Sequence, residues 1–70
     1  LRERDRMIAL LNLGFTRRPK DGESDGKHYF RHAEFNLDVR VAGTDIYITI
    51  DDIETLTTLD ELEAYVEGLI

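Results

Sequence analysis

The chain has 70 residues, no cysteine, and 15 acids against 9 lysines and arginines, for a net charge of −6. This length holds one domain, residues 1–70, with a thin core, because so short a chain hides only about 60% of the surface its unfolded form exposes. The lack of cysteine excludes a disulfide framework and thiolate metal sites and fits a cytoplasmic setting, and no apolar run approaches the ~20 residues needed to cross a bilayer.

Met7, Ile8, Leu10 and Leu11 fall on one side of a 3.6-residue period, with Arg2, Asp5, Arg6 and Asn12 on the other. The pattern predicts a helix that packs from about Asp5 onward, since Arg4 would project from the apolar stripe. Leu13-Gly14-Phe15 reads as its stop. Gly14 can turn left-handed just past the last turn, and Phe15 can fold back onto the helix. A start at Leu1 instead of methionine points to a trimmed N-terminus or to a piece of a longer protein.

Residues 16–26 read as a mobile loop with room for a short edge strand at its start. Pro19 disfavours helix before it and cannot donate to a ladder, and Asp21-Gly22 and Asp25-Gly26 are turn chemistry. Asp21, Glu23, Asp25 and Gly26 match the first half of an EF-hand calcium loop. The twelfth place, however, is His32 where a bidentate Glu belongs, and Pro19 removes the incoming helix. A solvated turn is expected, with no metal and no cofactor.

Three strands are predicted next. Residues 27–31 are rich in aromatics, and 32–34 form a reversal. Phe35, Leu37, Val39 and Val41 alternate with Asn36, Asp38 and Arg40; after a turn at 43–45, Ile46, Ile48 and Ile50 alternate with Tyr47 and Thr49. Period-2 alternation with short polar links gives an antiparallel meander with one covered face. Thr58-Leu59-Asp60-Glu61 fits a capping box opening a second helix. Leu59, Leu62, Tyr65, Val66, Leu69 and Ile70 fall on its apolar face, with Asp60, Glu61, Glu63 and Glu67 opposite. The expected fold is α+β, αβββα, a three-stranded antiparallel β-meander with both helices packed on one face.

Charge is unevenly divided. Residues 51–70 hold Asp51, Asp52, Glu54, Asp60, Glu61, Glu63 and Glu67 and no lysine or arginine, whereas residues 1–50 hold the other eight acids and all nine bases. A surface that negative repels nucleic acid and attracts basic proteins. Asp51, Asp52 and Glu54 are read as an acidic approach to the second helix.

Gly26-Lys27-His28-Tyr29-Phe30-Arg31-His32 resembles the strand motif of HicA-type toxin ribonucleases. That resemblance implies a double-stranded-RNA-binding-like fold with His28 as general acid/base and Arg31 or His32 near phosphate. The Leu10-to-Phe15 and Thr58-to-Val66 stretches are similar to those of small acidic phage and mobile-element proteins, including anti-CRISPR-like inhibitors. This second resemblance implies an inhibitor acting by binding. RNA binding rests on cationic contacts to phosphate, and the last twenty residues offer none. The reading that follows is a non-enzymatic protein-binding module. Its contact would be Asp51, Asp52, Glu54, Asp60, Glu61, Glu63 and Glu67, and its partner a basic protein, with no direct nucleic acid and no membrane. A structural or dimerisation module using Arg40, Tyr47 and Thr49 on the open sheet face is a further reading, with a homodimer as one form it can take.

Overall fold

Seven elements follow one another: α1 (Glu3–Asn12), β1 (Phe15–Arg18), β2 (Lys27–His32), β3 (Asp38–Ala42), β4 (Asp45–Ile50), β5 (Ile53–Thr57) and α2 (Leu59–Leu69). The computed structural model describes residues 2–18 and 27–70. The strands form one sheet in the order β1-β2-β3-β4-β5, each antiparallel to its neighbour. The fold is α+β, but the expected three-stranded meander is corrected to five strands, one more at each edge.

Each added strand has a local cause. Gly14, at φ +100°, turns the chain sharply after α1, so that Phe15 starts β1 opposite His32. On the other edge, Ile50 pairs with Ile53, leaving Asp51 and Asp52 as a two-residue turn at φ 51° and 67°. Two left-handed residues in succession match the twist of a hairpin, and aspartate tolerates that conformation better than most residues. The segment read as an acidic approach to the helix is therefore a hairpin turn and an edge strand. The reversal after β2 is also longer than expected: residues 33–37 lie outside any strand, although Leu37 is still buried.

Alternation sends Phe15, Phe30, His32, Val39, Val41, Ile46 and Ile48 to one face of the sheet, where Leu10 of α1 and Leu62 and Val66 of α2 join them in a single core. The helices use less apolar surface than their sequences offer. Ile8 and Leu11 remain 45% and 53% exposed on α1, and Tyr65 and Leu69 are each 41% exposed on α2. Thr58 caps α2. Its hydroxyl accepts from the Glu61 N–H at 3.1 Å and donates to Glu61 Oε1 at 3.1 Å, so the glutamate closes on the hydroxyl instead of on the backbone of Thr58. Among the described residues no helix is long and apolar enough to cross a membrane.

Candidate functional site

The seven acids of the last twenty residues are distributed over three places. Asp51 and Asp52 form the β4–β5 turn. Glu54 lies on β5, and Asp60, Glu61, Glu63 and Glu67 lie on α2. Asp60, Glu63 and Glu67 stand at i, i+3 and i+7 and make one exposed stripe, spaced by roughly 4.5 and 6 Å of helix rise. Among the described residues, Asp51, Asp52, Asp60, Glu61, Glu63 and Glu67 have no cation in ion-pair range. Asp60 and Glu61 also lie in the first turn of α2, where the helix dipole favours negative charge.

Glu54 differs from the rest. It reaches across β4 to Arg40 on β3, which donates from Nε to Oε2 at 3.1 Å and from Nη2 to Oε1 at 3.0 Å. The same guanidinium stacks 4.1 Å from the centre of the Tyr47 ring. This paired fork suits arginine, whose planar donors match a carboxylate. The hydrogen bond from Arg40 holds the Glu54 carboxyl below its ordinary value, against the opposing effect of burial, with the charges of Arg40 and Lys27 adding to it. Glu54 is thus neutralised within the sheet, apart from the other six acids. Arg40, Tyr47 and Thr49 do share the open face, but Arg40 spends its donors inside it.

His28, Arg31 and His32 do not converge. Strand alternation places both histidines on the helix-covered face and Arg31 on the open one. There Arg31 donates to Asp38 Oδ1 and Oδ2 at 3.1 and 3.2 Å and to Asn36 Oδ1 at 2.6 Å. His32 is buried between Phe15 and Phe35, with ring centroids 5.0 and 4.7 Å away. Its Nε2 lies 2.9 Å from the Leu13 carbonyl oxygen, and its Nδ1 accepts from the Glu34 N–H at 3.0 Å. A carbonyl can only accept, so the ring is the neutral Nε2–H tautomer with both nitrogens satisfied. It closes the C-terminal end of α1.

His28 is similarly occupied. Arg17 Nη2, always a donor, lies 2.7 Å from Nδ1, leaving Nε2–H to face Glu3 Oε1 at 3.3 Å. The other Glu3 oxygen accepts from the Gly43 N–H at 3.1 Å. Glu3 therefore ties the start of α1 to β2 and to the β3–β4 turn. Sequence reasoning gave Glu3 and Arg17 no role, and nothing short of the register could have joined residues so far apart.

Among the described residues, no three His, Cys, Asp or Glu side chains are grouped as a metal ion would require. The calcium-loop pattern of Asp21, Glu23, Asp25 and Gly26 lies outside the described residues. An open cleft of about 420 Å³ sits at the start of α2, with Ile46, Leu56 and Leu59 as apolar lining and Arg6, Asp45 and Glu61 as mixed charges. That mixture favours no single sign of ligand. Comparison of the chain with protein-family models, with curated proteins and with solved structures finds no match.

Proposed function

We propose that the chain is a non-enzymatic protein-binding module that presents α2 and the β4–β5 turn to a basic groove on its partner. The observation that carries this reading is the group of six acids that have no cation in ion-pair range among the described residues, three of which, Asp60, Glu63 and Glu67, form one exposed stripe along α2. A groove that fits an acidic helix is one built for phosphates, so a nucleic-acid-handling protein is the fitting partner and a phage or mobile-element inhibitor the fitting role. The ribonuclease reading has less support, since both nitrogens of His28 are engaged and Arg31 faces the other way.

The test replaces Asp60→Asn, Glu63→Gln and Glu67→Gln together. These changes remove three charges and leave Leu62 and Val66, the buried residues of α2, in place. Circular dichroism first establishes that the variant folds. Immobilised wild type should then retain a basic nucleic-acid-binding protein from bacterial lysate at low salt, and the variant should not. Equal retention by both would refute the reading.

A further inference from the structure

We propose that β5 is a pairing edge for a second copy of this chain, joining two sheets into one continuous ten-stranded sheet by antiparallel β5–β5 contact. The two edges of the sheet are guarded differently. β1 has four residues and ends in Arg17-Arg18, and charged side chains are a common protection of exposed edges. β5, Ile53-Glu54-Thr55-Leu56-Thr57, has no lysine, arginine, proline or glycine. It pairs one-to-one with β4, without a bulge. Ile53 and Leu56 are 67% and 60% exposed.

Its one charge does not guard the edge. Glu54 is drawn across β4 into the paired contact with Arg40, so the carboxylate points into the sheet and away from the rim. An approaching strand meets threonines, Ile53 and Leu56 and no repelling charge from the strand itself.

The register suits a second copy of the strand as the occupant. Ile50 and Ile53 close a two-residue turn and are therefore a hydrogen-bonded pair, so pairs alternate from there. Ile53, Thr55 and Thr57 turn their backbone groups toward β4, and Glu54 and Leu56 turn theirs outward. No backbone hydrogen bond beyond the β4–β5 ladder is made by Glu54 or Leu56 among the described residues. A two-fold axis at Thr55 sets Glu54 opposite Leu56 of the second copy and Leu56 opposite its Glu54, and both are hydrogen-bonded pairs. Thr55 then meets its own counterpart on the covered face, and each Ile53 meets a Thr57. The strand complements itself with no like charges opposed, as an isologous interface requires.

This contact uses the rim of β5 and not the acids of α2, and its salt dependence has the opposite sign. Two chains of net charge −6 repel, so screening should favour the dimer, whereas it weakens binding to a basic groove. The experiment is sedimentation velocity of the wild type from low to high salt, beside Leu56→Lys and Leu56→Pro. Lysine places a charge on the rim. Proline removes only an outward-facing N–H, which an edge strand tolerates, and circular dichroism reports whether each variant keeps its fold. The wild type should sediment as a dimer whose fraction rises with salt, and Leu56→Lys should sediment as a monomer at the same concentration, joined by Leu56→Pro if it folds. A wild type that is monomeric at every salt concentration, or a dimer unchanged in Leu56→Lys, would overturn the proposal. Neither result bears on capture of a basic partner through α2.

Discussion

Gly14 and His32 occupy adjoining space so closely that a Cβ on the glycine would stand 2.7 Å from His32 Nε2. The backbone of Gly14 has φ +100°, and its carbonyl accepts from the Ala33 N–H at 3.2 Å. Gly14→Ala therefore adds left-handed strain and displaces a buried ring that holds Leu13. A loss of about 1–3 kcal/mol is expected from the backbone alone. In a double-mutant cycle with His32→Ala, the combined loss should be smaller than the sum, because removing the ring relieves the clash. Strict additivity in denaturant melts would show that the two positions do not press on each other.

Stability should depend strongly on two residues of α2. Leu62 and Val66 are each 1% exposed and join the core, and emptying the Leu62 site typically costs about 2–5 kcal/mol, a large share of a small domain's total. Glu63, one residue on, is exposed, and Glu63→Ala should shift the urea midpoint little. Coincident midpoints for Leu62→Ala and Glu63→Ala would contradict the face assignment.

The three central strands and both helices were legible in the sequence because each buries one face, and burial is what produces alternation or a 3.6-residue stripe. β5 produced no such signal: it is exposed along nearly its whole length, so apolar Ile53 and Leu56 sit on opposite faces and the pattern vanishes. Its turn uses Asp51-Asp52 in place of the glycine or asparagine that announces a hairpin. The acids were readable as a group, but the separation of Glu54 from the other six was not. It depends on Arg40, fourteen residues away in sequence and two strands away in the sheet. His32 invites a chemical role in the sequence for the same reason. Its partners, Leu13 and the two phenylalanines, are assembled only by the fold.

The Arg40–Glu54 pair gives the fold a dependence on acid. The Glu54 carboxyl lies below its ordinary 4.5 because Arg40 hydrogen-bonds it. A carboxyl lowered on folding stabilises fully above its unfolded value and loses that contribution as pH falls through its folded value. The stability gap between wild type and Arg40→Gln should therefore be constant near neutrality and narrow below pH 4.5. In a carbon-detected NMR titration, the Glu54 midpoint should rise in Arg40→Gln. An unmoved midpoint would mean that the pair is not held in solution.

If the acids of α2, which have no cation in ion-pair range among the described residues, occupy a groove built for nucleic acid, duplex DNA should compete with them. A basic protein held on immobilised wild type at about 0.1 M salt, where the Debye length is about 10 Å, should be released by duplex DNA at that same salt. It should also leave the support near 1 M salt, where the Debye length falls to about 3 Å. Release by both is expected, in proportion to the DNA added. Retention unchanged by excess DNA would place the contact elsewhere on the molecule and rule out α2 as a nucleic-acid mimic.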